Sequence, residues 1–144
     1  MQLFNSRFAG SKNEDWAAAT HTFAAFSAKL EYVPTTFFSL TGAFTLAEQS
    51  NGINPVKENV TLQIGTSSFD IPPGAFSQEP DGTFVFTGTI GKVNIVAQIV
   101  PVEKKRFTYS FTGTGLVLSP FNGKVKVGLT IGTDTGTIRV KVLP

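Results

Sequence analysis

The feature that most constrains the fold of this chain is a pair of short alternating segments that resemble each other closely. Residues 60–66 read VTLQIGT and residues 127–133 read VGLTIGT. In both segments Val, Leu and Ile stand two residues apart and Gly-Thr closes the run. This pattern is typical of a strand with one buried face that ends in a tight turn. We therefore expect two equivalent strands whose apolar residues are buried.

The similarity continues upstream in the same order. Residues 38–42 (FSLTG) resemble residues 109–113 (YSFTG), and residues 84–88 (FVFTG) carry the same phrase a third time. Before these, residues 28–31 (AKLE) resemble residues 97–100 (AQIV), and a proline follows each. Chance reuse of Val, Thr and Gly, which β-proteins favour, is the alternative explanation.

These matches predict an internally duplicated four-strand unit, with pseudo-repeats near residues 26–71 and 93–142. Turn residues between the other alternating runs bring the total to about nine short antiparallel strands. The last three runs cover residues 107–118, 124–131 and 138–142. Such a string of strands predicts an all-β fold, either a sandwich or a closed barrel.

The chain of 144 residues is long enough for one domain with a hydrophobic core. We assign residues 23–144 to a single β domain. In residues 1–22, Ser11 and Glu14 have the spacing of a helix capping box, which predicts a short N-terminal helix or an irregular arm.

Aromatic residues dominate the expected core, since the chain has 14 Phe and one Met. Glycines at three positions, Gly42, Gly88 and Gly113, fall on the inward face of their strands. A glycine there marks a bend or a place where a large ring packs over the backbone, and we expect the ring. Seven residues should share one core: Phe38, Leu40, Phe84, Phe86, Phe107, Tyr109 and Phe111.

The sequence offers little catalytic chemistry. Charged residues make up 15% of the chain, against about 25% in a typical domain. Cysteine is absent, so thiolate chemistry and Cys-based metal sites are excluded. His21 has no acidic residue at a useful local spacing, which favours a packing or surface role. Asp134 should cap a turn. We therefore expect no enzyme activity, no catalytic residue and no cofactor.

An oxygen-rich loop is the best candidate for a cation site. Its glycine and proline favour a loop-forming role over metal binding, because calcium needs several oxygen ligands at fixed positions. The polar residues of this loop are Glu48, Asn51, Asn54 and Glu58.

One face of the last hairpin is the candidate binding surface. If Ile131 pairs with Ile138, the outward side chains are Lys124, Lys126, Arg139 and Lys141. They could contact phosphates, an anionic polymer such as an acidic polysaccharide or a cell-wall polymer, or another protein. The alternative is a solvated strand whose lysines discourage edge-to-edge aggregation. No exposed aromatic residue is interleaved with these charges, which does not favour nucleic acid.

Five segments of turn and core residues carry a family resemblance: 44–46, 50–55, 60–65, 71–76 and 129–134. Through them the chain resembles an uncharacterised β-rich domain of predicted bacterial secreted proteins. The resemblance spans residues 26–142 and implies an extracytoplasmic module, in the extracellular space or on the cell surface. It carries no known activity, and therefore no functional residue.

These observations favour a non-enzymatic structural or interaction module. The first alternative is a carbohydrate-binding or cell-wall-polymer-binding module, whose aromatic platform would come from Trp16, Tyr32, Phe37 or Tyr109. The second is a small outer-membrane barrel, which would need strands of about 9–11 residues. No apolar run reaches the roughly 20 residues of a membrane-spanning helix, and residues 1–10 lack the apolar core of a signal peptide. The partners and the oligomeric state, including a homo-oligomer, stay open.

Overall fold

The computed structural model describes residues 20–144 of the chain. It is all-β, with 62% of the described residues in strands and no helix among them. The strands are β1 (His21–Thr22), β2 (Ala25–Val33), β3 (Phe37–Thr45), β4 (Val60–Ile64), β5 (Ser67–Ile71), β6 (Ser77–Gln78), β7 (Phe84–Ile90), β8 (Val93–Glu103), β9 (Arg106–Thr114), β10 (Lys124–Ile131) and β11 (Asp134–Leu143).

The strands form one strongly curled sheet with the shape of a half-barrel. Their order is β5-β4-β10-β11-β2-β3-β9-β8-β7-β6, and β1 pairs with β11. The all-β prediction is confirmed, but hydrogen bonding runs without a break from β5 to β6. The fold is therefore neither two packed sheets nor a fully closed barrel. Alternation along the chain shows only which side of a strand is buried. A half-barrel, a sandwich and a closed barrel each bury one side of the sheet, so alternation does not distinguish them.

Two features of the strand count and direction differ from the sequence-based expectation. β1 and β6 are additional strands of two residues each, too short to show any periodicity. The pairs β1–β11 and β11–β2 are parallel, whereas an entirely antiparallel sheet was predicted. Of the predicted N-terminal helix or arm, His21 and Thr22 form β1. The remainder, up to residue 19, lies outside the described residues.

Two hairpins close in the same way. Gly65 and Gly132 have positive φ values of 62° and 60° and begin two-residue turns that join β4 to β5 and β10 to β11. Because the second turn is so tight, Ile138 lies opposite Val127, and the predicted pairing of Ile131 with Ile138 is wrong. The predicted register of the hairpin is shifted by four residues from the observed one. An even shift keeps every side chain on its predicted face.

The apolar triplets of β4 and β10 are completely buried, as the alternation predicts. The two strands are neighbours and run antiparallel, with Leu62 directly opposite Leu129. All six residues of the two triplets have 0% exposure: Val60, Leu62, Ile64, Val127, Leu129 and Ile131.

The predicted aromatic core is also confirmed. Phe38, Leu40 and Phe111 are fully buried on β3 and β9, and Leu40 faces Phe111 across that pair of strands. Phe84 and Tyr109 are buried in the same cluster, and the two remaining members of the predicted core, Phe86 and Phe107, pack against it half-buried.

Glycines on the concave side of the sheet make room for these rings. On β3 and β9, Gly42 lies opposite Tyr109 and Gly113 lies opposite Phe38. A Cβ atom on Gly113 would be 2.9 Å from the ring of Phe38, and one on Gly42 would be 2.7 Å from the hydroxyl of Tyr109. Real Cβ atoms do not approach so closely. A Cβ would also collide with a backbone carbonyl oxygen of the neighbouring strand, that of Asn94 for Gly113 and that of Ser27 for Gly42. The two glycines are therefore required by close backbone approach as well as by the rings.

The third glycine behaves in the same way, since a Cβ on Gly88 would lie 2.9 Å from the ring of Phe86. The prediction that large rings pack over all three glycines is confirmed. Tyr109 also uses its polar end, because its hydroxyl donates a hydrogen bond to the carbonyl oxygen of Ser27 at 2.8 Å. This bond ties β9 to β2 across the intervening strand β3.

We expect truncation of Phe111 to destabilise the fold strongly. Phe111→Ala removes a fully buried ring and should lower the free energy of unfolding by about 3–5 kcal/mol. Thr41→Ala, at an exposed position on β3, should change it by less than about 0.5 kcal/mol. Urea unfolding of the two variants measures both values, and equal midpoints would show that the inward face has been assigned wrongly.

The stability should also fall at alkaline pH through Tyr109. Burial raises the pKa of Tyr109 well above its ordinary value. The contribution of its neutral phenol is therefore complete below the unfolded pKa of about 10 and is lost as pH rises towards the folded pKa. Tyr109→Phe should cost about 1 kcal/mol at neutral pH by removing the hydrogen bond.

The alkaline test compares how steeply the urea midpoints of the variant and the unmodified protein decrease with pH. Between about pH 9 and pH 12 the urea midpoint of the Tyr109→Phe variant should fall less than that of the unmodified protein. Parallel declines would exclude Tyr109 as the source of the alkaline loss.

Candidate functional site

The four predicted cationic side chains lie together on the outer surface of the β10–β11 hairpin. Lys124 is directly opposite Lys141, and Lys126 is directly opposite Arg139. All four are exposed, because the alternate residues of both strands point into the core. We refer to these four residues as the basic face.

The basic face contains two cross-strand pairs of like charge. Like charges directly opposite each other destabilise a sheet. Within residues 20–144 none of the four has a carboxylate partner. The described ion pairs are elsewhere, between Arg106 and Glu103 at 3.0 Å and between His21 and Asp134 at 3.9 Å. The hairpin therefore carries positive charge that the described residues do not neutralise.

The position of this hairpin in the sheet bears on an alternative explanation for its lysines. Exposed lysines commonly protect edge strands against aggregation. Here β4 flanks residues 127–131 of β10, and β2 flanks only Val142 and Leu143 of β11. Gly65, just beyond β4, donates its backbone N–H to the carbonyl oxygen of Lys126 at 2.8 Å. Apart from this bond, residues 124–126 and 139–141 have no strand partner outside the hairpin among the described residues, so edge protection is an alternative explanation for the charges.

A groove of about 220 Å³ opens beside the basic face. Its floor is formed by β10 and by the turn after β4, and one wall is the chain between β9 and β10. Three members of the basic face line it. The lining residues are Gly65, Thr66, Leu118, Ser119, Pro120, Phe121, Lys124, Val125, Lys126 and Arg139.

The wall of the groove is held at three points. Leu116 is buried in the core. The backbone N–H of Leu118 donates to the hydroxyl of Tyr32 on β2 at 2.8 Å. The hydroxyl of Thr66 donates to that of Ser119 at 3.1 Å. The predicted strand over residues 107–118 ends at Thr114, where the chain leaves the sheet, and residues 118–121 line this wall.

Phe121 is the functional candidate that the sequence pattern missed. Its side chain is 45% exposed and lies in the groove with the cations. No aromatic residue is interleaved with the cations on the two strands, but Phe121 places one exposed ring beside the basic face. One signal could have found it: Phe121 stands in a Ser-Pro-Phe-Asn-Gly stretch, outside any alternating run, so no buried face was available to it.

The aromatic candidates named from sequence do not form a platform. Tyr32 and Tyr109 are buried, and Phe37 is 38% exposed on β3, away from the groove. Trp16 lies outside the described residues.

A second pairing that the sequence did not show joins His21 to Asp134. The parallel contact of β1 with β11 places them side by side, with 3.9 Å between Nδ1 and Oδ1. Asp134 is 1% exposed, and among the described residues neither its carboxylate oxygens nor Nδ1 of His21 has a hydrogen-bond partner. Asp134 is therefore a buried group, and its predicted turn-capping role is wrong. The two side chains lack the hydrogen bond that orients a general base.

The oxygen-rich loop forms its own hydrogen bonds. The backbone N–H of Asn54 donates to Oε1 of Glu58 at 2.6 Å, and that of Val56 donates to Oδ1 of Asn54 at 3.2 Å. These bonds confirm a loop-forming role for Asn54 and Glu58. In the part of the chain that the structure describes, no three His, Asp or Glu side chains are placed to share a metal ion.

One acidic group with a shifted pKa lies away from the groove. Hydrogen bonds from Thr83, through its backbone first and its side chain second, lower the pKa of Asp81 in the turn before β7. This arrangement stabilises the turn and adds nothing to the basic face.

Comparisons of the chain with protein families, with curated proteins and with solved structures find no match. Among residues 20–144 the structure contains no helix with the length and apolar character that a membrane span requires. The function must therefore be argued from the basic face and its groove.

We expect Lys126→Glu to stabilise the protein. A carboxylate at this position would face the guanidinium of Arg139, so a repulsive pair would become an attractive one, worth about 0.2–1 kcal/mol at low salt. The gain should shrink in 1 M salt, where screening acts within about 3 Å. Lys92→Glu, in the β7–β8 turn, makes the same charge change without a cross-strand cation. Equal urea midpoints for the two variants would show that the like-charge pairs impose no cost.

Proposed function

We propose that this chain is a non-enzymatic interaction module that acts outside the cytoplasm, and that its basic face binds an anionic polymer. The observation that carries the proposal is the pair of like-charge contacts between β10 and β11. Such contacts reduce stability, so we attribute their presence to binding. The extracytoplasmic placement is supported by the sequence resemblance.

The outer surface of β3 and β9 carries neutral cross-strand pairs in place of charged ones. On β3 and β9, Ser39 faces Thr112 and Thr41 faces Ser110. These neutral polar pairs keep the strands hydrated and cost no charge repulsion. Of the twelve Lys and Arg residues, four are concentrated on the β10–β11 hairpin. The concentration of charge there supports a specific role for that hairpin.

The spacing of the cations suits a ligand with several negative charges. Residues two apart on a strand are about 6.6–6.8 Å apart, and neighbouring strands are separated by about 4.8 Å. The basic face therefore presents four positive charges within a small rectangle. A single carboxylate cannot meet all four, whereas consecutive charged units of a polymer can. Summed fields of this kind attract polyanions.

We also propose that the fold arose by duplication of a four-strand unit. Matched residues of the two copies face each other, Leu62 with Leu129 and Leu40 with Phe111. The hairpins β4–β5 and β10–β11 share their turn geometry. Val127 of β10 matches the first residue of β4. β10 begins three residues earlier, and its two cations lie in this additional segment. Binding residues added outside the shared core are consistent with one copy acquiring a function.

Retention on an anionic polysaccharide resin tests the proposal. The unmodified protein should bind at low salt and elute as salt rises, since exposed charges are screened beyond about 8 Å at physiological ionic strength. Lys126→Glu combined with Lys141→Glu should elute at clearly lower salt, because both cross-strand pairs lose their net charge. Lys92→Glu combined with Lys104→Glu is the matched control, with the same charge change in two turns.

The control must keep most of the retention for the result to be specific. If the two double variants elute together, net charge alone explains retention. The basic face is then a solvated strand surface and the proposal fails.

A further inference from the structure

We infer that the groove beside the basic face holds one sugar ring, which makes the preferred polymer an acidic polysaccharide. This inference rests on the proposed function, because it names the class of anionic ligand at the same site. It depends on three properties of the groove: its size, its mixed apolar and hydroxyl lining, and its fixed wall.

The size of the groove limits the ligand. Pockets for drug-sized molecules measure about 300–1,000 Å³, and this groove measures about 220 Å³. It can therefore receive one small ring but not an extended molecule. Since Lys124, Lys126 and Arg139 stand at its margin, the ring would belong to a chain whose neighbouring charged units continue over the basic face.

The lining matches the two kinds of surface that a pyranose ring presents. Phe121 exposes its ring, and Pro120 and Leu118 add hydrocarbon beside it. The C–H face of a sugar packs on such a surface. Thr66 and Ser119 bring two hydroxyl groups to the same groove, 3.1 Å apart, where sugar hydroxyls can exchange hydrogen bonds with them. Inorganic phosphate chains have no apolar face and would leave Phe121 unused. A single-stranded nucleic acid could stack a base on it, so an oligonucleotide that binds as tightly as the oligogalacturonate would overturn the inference.

The cations complete the recognition of an acidic sugar. Arg139 offers a planar guanidinium that binds a carboxylate or sulfate with two parallel hydrogen bonds, and Lys126 adds a second positive charge beside it. A ring carrying an acidic substituent can place its hydrocarbon face on Phe121 and its charge on this pair.

The site needs little rearrangement to bind. Tyr32 and Thr66 hold the wall through hydrogen bonds, Leu116 fixes its start in the core, and Pro120 restricts the backbone just before Phe121. A wall held in place before binding avoids the entropy cost of ordering a loop, which favours affinity for small units.

The test measures dissociation constants by calorimetry for three probes of similar charge: an oligogalacturonate, an inorganic polyphosphate and a poly-glutamate peptide. The unmodified protein should bind the oligogalacturonate most tightly. Phe121→Ala should weaken that binding by about 3- to 10-fold, the range of an aromatic contact, and should leave polyphosphate binding unchanged. Phe121→Tyr should restore it.

Phe37→Ala is the matched control, since Phe37 is an exposed Phe on β3 that does not line the groove. It should leave all three dissociation constants unchanged. Both Phe→Ala variants should melt close to the unmodified protein, because each removes an exposed ring, and a melting curve confirms that binding was measured on folded protein.

The outcomes separate the two proposals. If no probe binds the unmodified protein at low salt, the proposed function fails and the inference fails with it. If all three probes bind alike and Phe121→Ala changes none, the basic face binds polyanions but the sugar-ring inference is wrong. If Phe121→Ala weakens poly-glutamate binding as much as oligogalacturonate binding, the groove takes an acidic peptide, and the inference is again overturned.

Discussion

The structure depends on the packing of aromatic rings over glycines on the concave side of the sheet. Large rings fill this side of the curled sheet, and two of them lie over glycines of the neighbouring strand. The reciprocal pairs Phe38–Gly113 and Gly42–Tyr109 meet this requirement on neighbouring strands. Leu40 and Phe111 lie between them and are fully buried. The glycines therefore allow β3 and β9 to bring these rings into one core.

This arrangement leaves the outer surface free to vary. Because the inward residues supply the hydrophobic stabilisation, outward positions can carry charges whose repulsion reduces stability slightly. The β10–β11 hairpin uses this freedom for the basic face, and the chain after β9 adds Phe121 and a wall held by Tyr32. The proposed site thus combines strand residues, whose positions the sheet determines, with one loop that the core anchors at Leu116.

Local pattern was enough to predict the all-β class, the buried triplets and the faces of the basic residues, because alternation reports burial directly. It could not predict which distant strands pair. The contacts β4–β10 and β3–β9 join segments far apart in the chain, and the parallel contact of β1 with β11 brings His21 to Asp134. Phe121 was missed for a related reason, since exposure in a loop depends on what the rest of the fold places around it.

Amide chemical-shift mapping with an acidic oligosaccharide tests the central claim most directly. The account predicts that saturable shifts cluster in residues 118–126 and 139–141, where the groove and the basic face lie. The outer surface of β3 and β9, with its neutral Ser and Thr pairs, should stay unchanged. Shifts centred on β3 and β9, or no saturable shifts at low salt, would contradict the assignment of the β10–β11 hairpin as the binding surface.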